Sequence, residues 1–222
     1  CVPATAQEET VDYWMNRAQE LYQNGSIEEA ITAYDEALTI DPENESILIR
    51  KAFELAVVGK VNESAETYEK ALVLLDEDLE EDPSDADAWQ NKALVLRRLN
   101  RPEEAEQAYE TALDVFDQRI EADPNDADAW MGRANVLLNL GRWEEASEAY
   151  DKVTELKPLD YNVWWRKAEV ISYIGDMNES VEAYDRAIEL IPANDTAELA
   201  LAYAAKRDRK STRLNSSHGK LS

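Results

Sequence analysis

The chain has 222 residues, 48 of them acidic and 23 basic, for a formal net charge of −25. Its one cysteine, Cys1, and one histidine, His218, lie at opposite ends, so residues 2–207 hold neither. That body therefore cannot build a zinc site, a thiol nucleophile, a Ser–His relay or a haem ligand set, and a charge this negative repels nucleic acid.

Residues 4–6 read Ala-Thr-Ala ahead of Gln7, Glu8 and Glu9, the small-residue pattern that ends a secretory signal peptide. On this reading residues 1–6 are a signal-peptide remnant and 7–10 a linker. A second reading makes Cys1 the lipidated first residue of a surface lipoprotein. Both predict a secreted or cell-surface protein, with a cytoplasmic one as the alternative. No stretch approaches 18 consecutive apolar residues, so no membrane span is expected.

From Val11 the chain is periodic. Trp14, Leu48, Trp89, Trp130 and Trp164 recur at spacings of 34, 41, 41 and 34 residues. A period in this range marks units that bury their apolar faces only against neighbours. In the first unit, 11–44, Trp14, Ala18 and Leu21 share one helical face, Gly25 ends that helix, Ala30, Tyr34 and Ala37 line the next, and Pro42 closes the unit. The later units repeat this grammar. Unit 45–85 has Leu48, Ala52, Gly59, Ser64, Tyr68 and Ala71; unit 86–126 has Trp89, Ala93, Asn100, Ala105, Tyr109 and Ala112. Unit 127–160 has Trp130, Ala134, Gly141, Ala146, Tyr150 and Pro158; unit 161–192 has Trp164, Ala168, Gly175, Ser180, Tyr184, Ala187 and Pro192.

Units 45–85 and 86–126 are seven residues longer than units 11–44 and 127–160. Seven residues is about two helical turns, which keeps an apolar stripe in register. Leu72, Leu75 and Leu79 continue the stripe in one, and Leu113, Phe116 and Ile120 in the other, so both insertions are predicted to lengthen the second helix. The acidic run from Asp76 to Asp85 lacks the alternate ligand spacing and the glycine of a calcium loop. It reads as a solvated helix end followed by a cap. Residues 193–207, with Leu199, Ala202 and Tyr203, resemble the first helix of a truncated sixth unit. Residues 208–222 have no helical period, resemble a translated sequencing adapter, and are expected to be a non-native disordered tail.

The recurrent Trp, small residues, Tyr, Ala and Pro over residues 11–192 resemble the tetratricopeptide repeat. The resemblance implies an all-α, right-handed superhelical solenoid of antiparallel helix pairs. It also implies a scaffold that holds a peptide or protein segment in a concave groove; the missing Cys and His make that scaffold non-catalytic, and the acidic charge suits a segment that is basic or mixed apolar in character. No cofactor, metal or nucleic acid is expected, and the oligomeric state stays open. Two alternatives remain: the non-catalytic arm of a larger enzyme such as a transferase, or a structural spacer of a cell envelope.

In the family's register the first helices line the groove. The candidates are Met15, Gln19, Tyr22, Ile49 and Phe53; then Gln90, Leu94 and Arg97; then Met131, Asn135 and Leu138; then Trp165, Glu169 and Tyr173. Trp165 stands out because Trp164 already fills the repeat anchor. The positions of the family's chaperone-binding clamp hold Met15, Gln19, Arg50, Asp87 and Asn91, so the resemblance implies no such clamp. First-helix windows carry nine bases (Arg17, Arg50, Lys51, Lys92, Arg97, Arg98, Arg133, Arg166 and Lys167) against seven acids, which predicts a near-neutral inner face within an acidic shell. Asn-x-Ser/Thr sequons at Asn24, Asn44, Asn62, Asn178 and Asn194 are candidate glycosylation sites that fit export.

Overall fold

The computed structural model describes residues 10–192 together with Leu199, Tyr203 and Lys206. The leader expected over 1–6, linker residues 7–9, the Asn194 sequon, most of the sixth-unit segment and the tail lie outside the described residues. Among the described residues there are ten helices and no strand. They are α1 (Val11–Gln23), α2 (Ile27–Ile40), α3 (Glu45–Val57), α4 (Val61–Glu81), α5 (Ala86–Arg98), α6 (Pro102–Ala122), α7 (Ala127–Asn139), α8 (Trp143–Leu156), α9 (Tyr161–Ile174) and α10 (Met177–Leu190).

Each odd-numbered helix starts on a side chain that accepts an otherwise orphaned backbone N–H. The caps are Thr10, Asn44, Asp85, Asp126 and Asp160. The same helices end where the chain reverses into the left-handed region. At the end of α1 the Ser26 N–H donates to the Leu21 carbonyl and the Gly25 N–H to that of Tyr22, both at 2.9 Å, which satisfies two free carbonyls in one turn. Glycine takes the left-handed position in four of the five units, and Asn100, with φ 59°, takes it in the third. Asparagine is one of the few other residues that visit this conformation readily.

The seven extra residues are helical. Helices α4 and α6 have 21 residues, whereas α2, α8 and α10 have 14. Leu72, Leu75, Leu79, Leu113 and Phe116 are buried, while Ile120 is half-buried.

The chain divides into two compact units, residues 1–109 and 110–222. In the first, Ala18, Leu21, Ala30, Ala33, Tyr34, Ala37 and Ile47 form a core cluster, with Trp14 and Met15 packed against it. The alanines have no exposed surface at Ala18, Ala30 and Ala37, as close helix crossings require. In the second, Ala168, Ile171, Ala183 and Tyr184 form a cluster with Trp164 and Trp165 against it. Also in the second unit, Gly132 of α7 faces the Phe116 ring of α6: a Cβ built there would lie 2.2 Å from Phe116 Cζ.

One arrangement repeats within both units. The indole N–H groups of Trp89, Trp130 and Trp164 donate to the carbonyls of Pro83, Pro124 and Pro158 at 3.0, 3.1 and 3.0 Å. Lys92, Arg133 and Lys167 lie over those rings, 4.8, 6.0 and 5.4 Å from the centroids. The same cations pair with Asp76, Asp117 and Asp151 on the preceding even-numbered helix at 2.6, 2.7 and 2.7 Å. Lys51 pairs likewise with Asp35 at 2.5 Å. All four are among the nine first-helix bases, and each is paired with the neighbouring helix. Each aspartate is about half exposed, so each pair contributes at most about 1 kcal/mol. The chief effect is to fix the direction of one basic residue per repeat.

Candidate binding pocket

The first unit holds a pocket of about 320 Å³. Its walls come from five helices. Gln19 and Tyr22 descend from α1, Tyr34 from α2 and Tyr68 from α4. Helix α3 supplies Ile49, Arg50, Phe53 and Glu54, spaced so that they share one side, and α5 supplies Leu94 and Arg98. Tyr22 and Phe53 are 42% and 37% exposed, large rings left open to solvent, while Tyr34 and Tyr68 are buried at 3% each. The Arg98 guanidinium lies 5.2 Å above the Phe53 ring centroid, within cation–π range.

Glu54 is the one acidic residue of the lining. The Tyr34 hydroxyl donates to its Oε1 at 3.3 Å; its Oε2 is buried and receives no hydrogen bond. Burial pushes the Glu54 carboxyl above the ordinary glutamate range, opposed by the Tyr34 hydrogen bond and the Arg50 charge. Burial and the neighbouring Glu54 push the Tyr34 hydroxyl up to about 12. Burial also raises Tyr68, against the Arg98 charge.

Of the fourteen residues expected to share a groove, Gln19, Tyr22, Ile49, Phe53 and Leu94 meet in this pocket. In the same unit Met15 packs on the core cluster, Gln90 is half-buried, and Arg97 lies 5.9 Å over the Tyr109 ring. In the second unit the candidates are held by their own neighbours. Asn135 Oδ1 accepts from the Tyr150 hydroxyl at 2.6 Å, and burial pushes that phenol up to about 12. Trp165 stands edge-on to Tyr184, centroids 5.3 Å apart, so α10 of its own helix pair covers part of the ring. Glu169 pairs with Arg166 at 3.1 Å. Tyr173 stacks on Trp143 at 4.8 Å and stays 60% exposed. Met131 and Leu138 are half-buried.

Sequence reasoning did not assign Tyr34, Glu54 or Tyr68 to a site; it named Arg98 only as a first-helix base, and Arg50 as such a base and as the occupant of one clamp position. Comparing the repeats with one another exposes the signal for Glu54. The tenth residue of each unit is Glu20, Glu54, Val95, Val136 and Val170.

Three residues of the acidic run 76–85 are engaged locally. Asp76 pairs with Lys92, Asp82 accepts from the Ser84 N–H and hydroxyl, and Asp85 caps α5. Among the described residues no group of three or more His, Cys, Asp or Glu is placed to hold a metal ion. No helix among them is long and apolar enough to cross a membrane. Of the described sequons, Asn24, Asn62 and Asn178 are exposed. Asn44 is half-buried, capping α3 while its Nδ2 donates to Asp41 at 2.9 Å.

Antiparallel helix pairs with small residues at their crossings, an aromatic anchor per pair and a reversal at a left-handed residue define an all-α helical-repeat protein. Residues 11–44, 43–118, 92–161 and 132–195 match models of the tetratricopeptide repeat, and the chain belongs to that family. Among solved structures it is similar to TTC0263, a thermophilic tetratricopeptide-repeat protein of Thermus thermophilus. The identity is 20% and the TM-score 0.56, over 89% of this chain and 98% of that one. It is also similar to YrrB, described as a tetratricopeptide-repeat protein with an unusual peptide-binding site, at 23% identity and a TM-score of 0.42 over 90% and 94% of the two chains. MamA of Desulfovibrio magneticus RS-1 aligns at 22% identity and a TM-score of 0.42, over 83% and 96%. The first likeness shows the fold; the other two superpose too loosely to add to it. No curated protein matches the sequence.

Proposed function

We propose that this chain is a non-catalytic scaffold that holds a peptide or protein segment, and that the pocket of the first unit is where it grips. The observation that carries this reading is the pair of open aromatic rings, Tyr22 and Phe53, set beside Ile49 and Leu94 over a cavity of about 320 Å³. Rings of this kind anchor protein interfaces, because they bury much area while losing few rotamers. The family fits the reading, since tetratricopeptide repeats in general serve as protein-interaction scaffolds.

The test is selection of a displayed random-peptide library on the purified chain, followed by titration of the selected peptides. Phe53→Ala and Tyr22→Ala are each expected to weaken binding at least about tenfold, the cost of removing one aromatic anchor, with helical circular dichroism unchanged. Selected peptides that bind both variants as well as the parent would place the grip elsewhere.

The proposed setting is outside the cytoplasm. Its support is the set of exposed sequon asparagines Asn24, Asn62 and Asn178, each at a helix end or first turn. Glycopeptides at Asn62 or Asn178 in protein isolated from its source cells would agree with this; unmodified asparagines at all three would count against it.

A further inference from the structure

Glu54 breaks the pattern of its own repeat. Its counterparts Val95, Val136 and Val170 are fully buried, and Glu54 is buried with them at 4% exposure. The remaining counterpart, Glu20, is exposed and pairs with Arg17 at 3.3 Å. A carboxylate where a valine suffices carries a desolvation cost that the valine avoids. One hydrogen bond, from Tyr34 to Oε1, offsets part of it. Oε2 has no donor at all. A buried polar group whose compensation inside the fold is incomplete marks a position kept for a ligand.

The pocket states which ligand. An anion would meet a buried carboxylate inside a chain of net charge −25. A neutral amide would satisfy Oε2 but leave the exposed Arg50 alone to balance the carboxylate's charge. A cation does both, and it meets the faces of Tyr22 and Phe53 on the way in. The wall already accepts such a group: the Arg98 guanidinium sits over Phe53. Arg98 and Arg50 are both exposed, so solvent screens their charge where it would oppose an incoming cation.

We propose that the pocket receives the cationic side chain of an arginine or lysine from the bound segment, its N–H donating to Glu54 Oε2. This rests on the reading that the first-unit pocket binds a peptide, and it names the chemistry of the residue that enters. Oε2 is buried beside the pocket, so the Glu54 side chain must shift for the incoming N–H to reach it.

The experiment uses fluorescein-labelled nonapeptides with a central arginine between leucines, and the same peptides with citrulline or glutamate at the centre. Citrulline keeps the size and removes the charge. Anisotropy is followed with the full chain, with Glu54→Gln, with Glu54→Val, and with Glu77→Gln as an exposed control of equal charge change. The arginine peptide is expected to bind at least about tenfold tighter than the citrulline peptide to the parent and to Glu77→Gln, the scale of one charge-assisted hydrogen bond. That preference is expected to fall below about twofold in Glu54→Gln and Glu54→Val. A preference that survives in Glu54→Gln would assign it to the general acidic field and overturn the inference. Equal binding of all three peptides by the parent would overturn it too, while leaving the pocket reading intact. Failure of every peptide to bind would sink both.

Discussion

Gly132→Ala is expected to destabilise the second unit by about 1–3 kcal/mol, the usual cost of overpacking, although alanine is the better helix former by about 1 kcal/mol. The reason is local. The new Cβ would lie 2.2 Å from Phe116 Cζ and 2.3 Å from Cε1, and Phe116 is 1% exposed, so the ring has nowhere free to go. The complementary change, Phe116→Ala, is expected to cost about 3–5 kcal/mol through lost burial and a cavity. The two should couple: Gly132→Ala on a Phe116→Leu background is expected to cost less than on the parent, because the shorter side chain leaves room. Urea unfolding of the four variants measures the cycle. A neutral or stabilising Gly132→Ala in the parent would show that α6 and α7 do not pack as described.

Removing the buried polar pair of the first unit is expected to have the opposite sign. Tyr34→Phe removes the hydroxyl at a position that is tyrosine in every unit, and Glu54→Val installs the valine that Val95, Val136 and Val170 supply in the later units. The double variant is expected to be more stable than the parent at neutral pH by about 1–3 kcal/mol. The pH dependence fixes the cause. The folded pKa of Glu54 is raised, chiefly by burial, so its stabilising contribution is present in full below the unfolded value, near 4.3, and is lost as pH rises through the folded value. Asp126, Glu104 and Glu145 run the other way. Hydrogen bonds lower their folded pKa values, so their contributions are present above the unfolded values and are lost as pH falls through the folded ones. Both proteins share those three groups. The advantage of the double variant is therefore expected to be largest near pH 7 and to shrink as pH falls toward 4. A double variant less stable than the parent at pH 7 would mean that the pair holds the fold together rather than serving a ligand.

The two effects differ in how far the sequence announced them. The helix pairs were legible because each repeat states its period several times over, in Trp130, Ala134, Gly141 and Tyr150 as in Trp164, Ala168, Gly175 and Tyr184. The long second helices were legible because Leu72, Leu75 and Leu79 keep a helical spacing through the extra turns. Half of the pocket followed from the register of the first helices, which places Tyr22, Ile49, Phe53 and Leu94 on one side. Glu54 did not follow, because a glutamate in an acidic chain reads as a solvated residue. Its burial comes from tertiary packing that its own helix does not announce, and only its alignment with Val95, Val136 and Val170 sets it apart. The charges of Lys92, Arg133 and Lys167 were legible but their partners were not, because the aspartate that pairs with each lies on the preceding helix. Gly132 gave no sign at all, since nothing in its own helix says that a phenylalanine from another one will occupy the missing side chain's place.

The most direct test is amide and aromatic NMR mapping of the whole chain while an arginine-centred nonapeptide is titrated in. The expected result is saturable shift changes concentrated at Tyr22, Ile49, Phe53, Glu54 and Leu94, together with loss of those changes in Phe53→Ala. Changes confined to the second unit, or spread evenly over the acidic surface without saturation, would contradict a gripping pocket in the first.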